Sequence, residues 1–243
     1  AKHRSIRKFR SEPIAPEVLQ DMLEAASRAS TCGNMQLYSL IVTQSRELRE
    51  ALAPCHFNQP MVTQAPCVIT VCADVHRFSM WCEQRDAEPC YDNFAWFLNG
   101  VTDALLAAQN LCVEAEAHGL GICYLGTTIY TAEEIARILD LPKGVIPVTT
   151  IVVGHPDESP ELTDRLPLDA VVHCEKYHHY TSSEIDELWA EKETSEETRR
   201  LLEENGLPNL AQIFTRNRYR AEDNLAISRN YFALLKKQGF FNN

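Results

Sequence analysis

Several signatures are missing from this sequence, and each absence removes a class of function. No long apolar run occurs without charge. The most apolar stretch, roughly Val101 to Ala117, carries Asp103, Gln109, Asn110, Glu114 and Glu116. Such groups are costly in lipid, so a buried helix of a globular fold is expected there. The start opens on charges rather than an apolar segment, so no signal peptide is expected. Positive charge is scarce: 23 Lys and Arg stand against 34 Asp and Glu, a formal charge of −11. Nucleic acid is then a poor partner, because phosphate backbones need a basic face. Cysteine is plentiful at nine, but the number is odd and no CxxC pair exists. Disulfides and zinc sites therefore lack their usual spacing. His178-His179 has no paired ligands at zinc spacing, so no metal is expected. Neither a Walker A sequence nor G-x-S-x-G occurs. The run Gly119-Leu120-Gly121-Ile122-Cys123-Tyr124-Leu125-Gly126 is not a dinucleotide fingerprint. Tyr124 stands where the third glycine would be, and the run follows a helix and enters a strand, the reverse of that context.

What remains is an ordinary globular composition, 45% hydrophobic over 243 residues, enough for one large domain or two small ones. A helix is predicted from Pro16, with Val18, Leu19, Met22, Leu23 and Ala26 on one face, ending near Ser30 before Gly33. Leu40 to Thr43 reads as a strand and Arg46 to Ala53 as a short helix. Cys67 to Ala73, rich in β-branched residues, reads as a buried strand. Asn93 to His118 reads as one helix, apolar nearly all round, hence buried on most sides at a domain centre or a dimer interface. Ile122 to Leu125 and Pro147 to Val153 read as strands, with Ala132 to Leu139 a helix between them. After Gly154 comes a Pro- and Asp-rich loop. Ser182 to Glu204 is charged and helical in pattern, and Ala221 to Lys237 is a last helix stopped by Gly239. The cysteines within apolar runs, Cys67, Cys72 and Cys112, read as small hydrophobes in a reducing compartment.

Four segments carry candidate chemistry. Residues 2–10, KHRSIRKFR, hold five of the 23 basic residues. Guanidiniums and a hydroxyl at this spacing suit a phosphate. A solvated basic tail or a nuclear-localisation run fits the charges as well. Against these, Ile6 and Phe9 interleave apolar anchors. The loop Ser30-Thr31-Cys32-Gly33-Asn34-Met35-Gln36 has the small residues that permit close approach to a ligand, though an ordinary helix-to-strand loop has them too. The run from Gly119 to Gly126 is the third. Arg165, in Leu162-Thr163-Asp164-Arg165-Leu166-Pro167, is the fourth; its functional reading depends on meeting the N-terminal cations in space. No nucleophilic triad or acid pair is identifiable.

Taken in order, HRSIRKF, SRASTCGNMQ, FNQPMVTQAP, GLGICYLG, and IVVGHPDE followed by DRLPL resemble the FMN-dependent nitroreductase family across nearly the whole chain. The last feature, with the long C-terminal extension, is similar to the NADPH-preferring nitroreductase and flavin reductase branch. The resemblance implies an α+β fold: a mixed central sheet flanked by helices, a long buried helix at a dimer interface, and a helical C-terminal extension. It implies one domain over residues 1–243, with 155–243 as the extension. By position, His3, Arg4, Ser5 and Arg7 match the segment that holds the FMN phosphate and ribityl chain, and Arg165 a second phosphate cation. Many members carry lysine two places before that arginine. This chain has Thr163, so a charge is missing or another cation such as Lys143 replaces it. Thr31, Cys32 and Gly33 match a loop that reaches the flavin from the partner subunit. Gln59 matches a side chain near the pyrimidine end. Tyr124, Leu125 and Gly126 match a stretch beside the ring, with the Gly126 N–H toward N5. Arg216, Arg218 and Arg220 are candidates for the NADPH 2′-phosphate.

The implied activity is ping-pong, two-electron hydride transfer from NAD(P)H through FMN to a nitroaromatic, quinone or flavin, in a cytoplasmic homodimer. No side chain need act as a nucleophile, because the cofactor carries the chemistry. Two alternatives stay open. One is other flavin chemistry on the same fold, such as free-flavin reduction or reductive dehalogenation. The other is a non-catalytic flavin-binding module, which would stay yellow when offered either nicotinamide.

Overall fold

The computed structural model describes residues 3–242; Lys2, the first cation of the basic stretch, lies outside them. Two compact units are present. The first takes the chain up to Glu161 together with the residues from Ile227, and the second is Leu162–Ala226.

The first unit is built on a four-stranded sheet. Its strands are β1 (Tyr38–Thr43), β2 (Cys67–Asp74), β3 (Gly121–Leu125) and β4 (Val145–Gly154), in the order β1-β2-β4-β3. Neighbouring strands are antiparallel throughout. Outside the named strands, an isolated parallel bridge joins Ser5 to Ile122. Every residue of β2 is buried, as expected of a β-branched run covered on both faces. The β2–β4 register shifts between Val71 and Cys72, where Cys72 lies opposite Pro147. A proline cannot donate to a ladder, so a bulge is where an inner strand tolerates it.

Around the sheet lie α1 (Pro16–Ser27), α2 (Arg46–Leu52), α3 (Met61–Gln64), α4 (His76–Glu83), α5 (Phe94–Ala117) and α6 (Ala132–Ile138). Side chains alternate along a strand, so β2 feeds two cores. Cys67, Ile69 and Val71 pack with α1 and α5, through Met22, Ala104, Ala108 and Leu111. Val68 faces the other way, with Ile6, Phe9, Leu52, Val62 and Ile135. The Asn93 side chain caps α5, accepting from the Trp96 N–H at 3.3 Å. The burial of α5 is one-sided. Gly100, Ala104, Ala107, Ala108 and Leu111 are inside, while Leu98, Leu105, Leu106 and Val113 are 44–56% exposed. Sheet and α1 cover only one face of a largely apolar helix, and a single chain leaves the other open. Gly100 packs tightly here, since a Cβ would stand 3.2 Å from the Leu37 carbonyl oxygen and 3.1 Å from the Ala73 Cβ.

The second unit carries α7 (Ser182–Thr194), α8 (Glu196–Asn205) and α9 (Leu210–Ile213), followed by one π-helical turn, Phe214–Arg218. The expected single stretch from Ser182 to Glu204 is broken at Ser195, whose hydroxyl accepts from the Thr198 N–H at 3.1 Å and starts α8. A capping box opens α7: Thr181 and Glu184 exchange hydrogen bonds. The backbone and hydroxyl of Thr181, with His178, hold the Glu184 carboxyl down to about 2. Helix α10 (Ala221–Lys237) begins in this unit and ends in the first. There Leu234, Leu235 and Phe240 fill a core with Leu37, Phe97 and Ile146. Gly239, at φ 90°, follows that helix.

Candidate active site

The basic stretch is a docked, bridged segment rather than a free tail. Ile6 N–H donates to the Ile122 carbonyl at 2.9 Å, Arg10 N–H to that of His155 at 2.9 Å, and Asp157 N–H to that of Lys8 at 2.9 Å. Ile6 and Phe9 are 5% and 7% exposed and pin the segment between them. Ile6 lies so close over Gly121 that a Cβ there would stand 2.6 Å from its Cγ1. Glu158 adds a second tie, its Oε1 accepting from the N–H groups of Arg7 at 2.6 Å and Lys8 at 3.1 Å. With the backbone spent, the polar side chains between the anchors are presented outward. Arg7 is exposed and Arg4 half-buried. The Arg4 Nε is buried with no hydrogen-bond partner among the described residues. A guanidinium N–H in that state points to an acceptor that the chain does not supply. His3 is otherwise engaged, its Nδ1 lying 2.7 Å from Glu116 Oε1. Ser5 sits by the Cys123 thiol, which burial pushes up while Arg7 and the Ser5 hydroxyl pull it down.

The strand that receives this segment leads to the second group. Gly126 lies four residues beyond Ile122, about 13 Å of extended chain. Tyr124 is half-buried, Leu125 buried and Gly126 exposed. Burial, then the neighbouring Cys112, pushes the Tyr124 hydroxyl up. A Cβ on Gly126 would meet nothing within 4 Å, so open space lies over its backbone. Two ties join this turn to the loop before Gln59. His56 Nδ1 is 2.8 Å from Thr127 Oγ1, and Thr131 Oγ1 donates to the Cys55 carbonyl at 2.7 Å. Phe57, 61% exposed, has its ring 6.0 Å from that of Tyr130. Phe57 and Asn58 are both left-handed, at φ 55° and 53°. Non-glycine residues there carry strain, and strain concentrates at functional sites. Gln59, half-buried, follows directly.

His56 is fully buried. Burial alone lowers its imidazole from the ordinary 6.5 to about 4. The unfolded chain takes up this proton near pH 6.5 and the folded chain only near 4. Above that window the group is neutral in both states and costs nothing. As the pH falls through it, the unfolded state binds more protons and stability drops, by about 3 kcal/mol once the lower bound is passed. Urea unfolding of wild type and His56→Asn across this range checks it. The variant is expected to lose less stability on acidification, and equal slopes would contradict the assignment.

The third group is Thr31-Cys32-Gly33. Asp103, 1% exposed, reaches from α5 to hold it. Its Oδ1 accepts from the Cys32 N–H at 2.8 Å and its Oδ2 from the Leu37 N–H at 3.0 Å. Arg77 clamps the far end, donating to the carbonyls of Gln36 at 2.5 Å and Tyr38 at 3.0 Å. Gly33, Asn34 and Gln36 are left-handed, at φ 55°, 56° and 53°. The loop is therefore tied to α5 and β1 rather than to the N-terminal strand.

The remaining candidates belong to the second unit. The Arg165 guanidinium donates to Thr163 Oγ1 at 2.6 Å and to the Asp164 carbonyl at 2.8 Å, so the threonine in the lysine position is a partner of the arginine. Arg216, Arg218 and Arg220 are all exposed. Arg218 lies over the Phe214 ring at 5.5 Å, and Arg220 pairs with Asp223 at 2.7 Å and Glu222 at 3.2 Å. Lys143 is exposed in the first unit.

Sequence reasoning does not single out Glu158, Asp103, His56 or Thr127 as site residues. Only Glu158 has a local signal, an acid in the GHPDE run that could face a basic segment. Two open clefts, of about 400 and 530 Å³, are present, the first bordering the turn that ends at Thr131. One is lined by Thr131, Glu134, Asn230 and Tyr231, the other by Ser11, Gln44, Arg49 and Gln64. Among the described residues no group of three or more His, Cys, Asp or Glu is placed to hold a metal ion.

Comparison with known proteins places this arrangement. The profile of the nitroreductase family matches residues 1–155. An NADPH-dependent oxidoreductase of Staphylococcus aureus is 36% identical over 181 residues, 73% of this chain and 72% of that one. A crystal structure of a Bacteroides fragilis protein assigned as an oxidoreductase superposes with a TM-score of 0.97 at 49% identity, covering 99% of this chain and 98% of the other. The NADPH:FMN oxidoreductase of Vibrio harveyi, complexed with NAD+, superposes with a TM-score of 0.82 at 27% identity, covering 100% and 96%. With a family profile over most of its length and relatives that align along both chains, this protein belongs to the nitroreductase family.

Proposed function

We propose that the chain is an FMN-dependent NAD(P)H oxidoreductase that reduces small electrophiles such as nitroaromatics, quinones or flavins by ping-pong two-electron (hydride) transfer. The observation that carries this reading is the buried, unpartnered Nε of Arg4 on a strand held rigid by Ile6, Phe9 and Glu158. It is the kind of donor an FMN phosphate would satisfy. The donor set fits the group: Arg4 and Arg7 are suited to the phosphate, Ser5 to the ribityl chain, and the open backbone at Gly126 to a flat ring. His3, held by Glu116, is a weaker contributor. When bound, FMN supplies reversible uptake of an electron pair. Cations near it favour the added negative charge. Gly126 N–H is assigned toward ring N5, Tyr124 and Leu125 beside the ring, and Gln59 toward the pyrimidine end. Arg165 is proposed as a second phosphate cation, and Arg216, Arg218 and Arg220 as readers of the NADPH 2′-phosphate. The pairing of Arg220 with two carboxylates makes Arg216 and Arg218 the stronger of the three. Residues 155–243 are taken as an extension of one catalytic domain.

The names of the relatives support the electron donor and the cofactor: one is an NADPH-dependent oxidoreductase and another an NADPH:FMN oxidoreductase. The test is anaerobic. Purified protein should be yellow, bleach with NADPH and recolour with a quinone or nitroarene. Colour that neither nicotinamide bleaches would leave a flavin-binding module.

The open face of α5 supports a homodimer. Leu98, Leu105, Leu106 and Val113 form an apolar stripe that a second copy would cover, bringing Thr31–Gly33 to the partner's ring. The double variant Leu105→Glu/Leu106→Glu should weaken self-association more than about 100-fold, because it places charges in a desolvated contact. Light scattering would read this, and an unchanged mass would remove α5 from the interface. Among the described residues no helix is long and apolar enough to cross a membrane. The nine free thiols suit a reducing compartment, so the cytoplasm is the proposed location.

A further inference from the structure

We propose that the Thr127 side-chain hydroxyl donates a hydrogen bond to an acceptor atom of the bound flavin ring, and that His56 sets the hydroxyl in that role. The inference rests on the reading of Tyr124–Gly126 as the face that receives the ring.

Thr127 follows the open backbone of Gly126 and is itself half-exposed. Its neighbour Thr128 is different. Thr128 is 1% exposed and spends its hydroxyl inside the fold, on the Leu125 carbonyl at 2.9 Å and on Thr150 Oγ1 at 3.0 Å. Among the described residues Thr127 Oγ1 has one hydrogen-bond partner, His56 Nδ1, at 2.8 Å. Two arrangements of protons fit that distance. In one, the hydroxyl donates to Nδ1 and the ring carries its proton on Nε2. In the other, Nδ1–H donates to the hydroxyl oxygen, and the hydroxyl proton is free.

The surroundings of the other ring nitrogen decide between them. His56 Nε2 is buried and has no hydrogen-bond partner among the described residues. A buried N–H with no acceptor is rarer and costlier than an unused lone pair. The proton therefore sits on Nδ1 and the lone pair on Nε2. Burial keeps this imidazole neutral, lowering it to about 4, so a second proton does not disturb the arrangement near neutral pH. Thr131, bonded to the Cys55 carbonyl at 2.7 Å, locks the two turns together. The hydroxyl of Thr127 is left with one lone pair engaged and its donor unspent, beside the exposed Gly126 backbone. His56 is then a positioning residue, acting on the cofactor through Thr127.

The experiment uses the FMN-loaded protein. Thr127→Val removes the hydroxyl at constant shape, and Thr127→Ser keeps it. His56→Asn places an amide N–H near the position of Nδ1, whereas His56→Gln places it near Nε2. A donor to a ring carbonyl oxygen, which gains negative charge on reduction, favours the electron-rich reduced form. Thr127→Val and His56→Gln should therefore lower the ratio of reduced to oxidised FMN affinity about tenfold, about 30 mV in a two-electron potential, and shift the visible flavin spectrum. Thr127→Ser and His56→Asn should match wild type in both readouts. A Thr127→Val protein that binds FMN with unaltered potential and spectrum overturns the proposal and leaves the flavin reading standing. So does a His56→Gln protein that behaves like His56→Asn. Wild type that takes up no FMN in titration overturns the underlying reading, and this proposal with it.

Discussion

Replacing Asp103 with alanine should destabilise the folded protein by about 4 kcal/mol and release the loop that begins at Thr31. The carboxylate is 1% exposed and accepts two backbone N–H groups, from Cys32 and Leu37, more than sixty positions away in sequence. Alanine would orphan both donors, the Leu37 N–H in the buried interior and the Cys32 N–H in a partly buried loop. Each orphan costs about 1–3 kcal/mol. An asparagine side chain at this position would accept one of the two and face the other with an amide, so Asp103→Asn should fall near half the loss. Urea unfolding monitored by tryptophan fluorescence reads the first effect, and flavin retention on gel filtration the second. If Asp103→Ala unfolds at the wild-type midpoint, the loop is held by Arg77 and its own turns instead.

The double variant Arg4→Ala/Arg7→Ala should lose FMN affinity by about three orders of magnitude with little change in folding. Charge-assisted bonds to a phosphate are worth about 1.5–3 kcal/mol each. The anchors that dock the strand, Ile6 and Phe9, are untouched, as are the carbonyl and Glu158 contacts to its backbone. Of the singles, Arg4→Ala should carry more of the loss, because the buried Nε of Arg4 is the donor without a partner. Arg7 is exposed, and solvent screens it more. Flavin content of the purified variants, set beside their melting curves, separates lost binding from lost fold. A double variant that retains stoichiometric FMN would remove these cations from the phosphate site.

Elements with a strong local pattern are legible from the sequence. The β-branched run at 67–73, the helix begun at Asn93 and the last helix before Gly239 all stand where their residues predict. Where two helices adjoin, the pattern misleads. Charged, helix-compatible residues flank Ser195 on both sides and hide the cap that separates α7 from α8. Helix α4 escapes a sequence reading because its residues, HRFSMWCE, form no clear stripe and bury only Cys82. Strand order and direction are not readable, since pairing is a property of two segments and not of one. The same holds for the site. HRSIRKF can be matched because its anchors and cations are contiguous. His56 and Thr127 are 71 positions apart, and no local spacing in the chain announces that they meet. The largely apolar character of α5 is legible, but its one-sided burial is not, because an exposed apolar face and a core face use the same residues.

Recognition of the phosphate by the N-terminal strand is tested most directly by titrating flavin-stripped protein with FMN and with riboflavin, which differ only in that phosphate. FMN should bind about a thousandfold more tightly, and Arg4→Ala/Arg7→Ala should erase most of the difference. Equal affinities for the two flavins in wild type would contradict it.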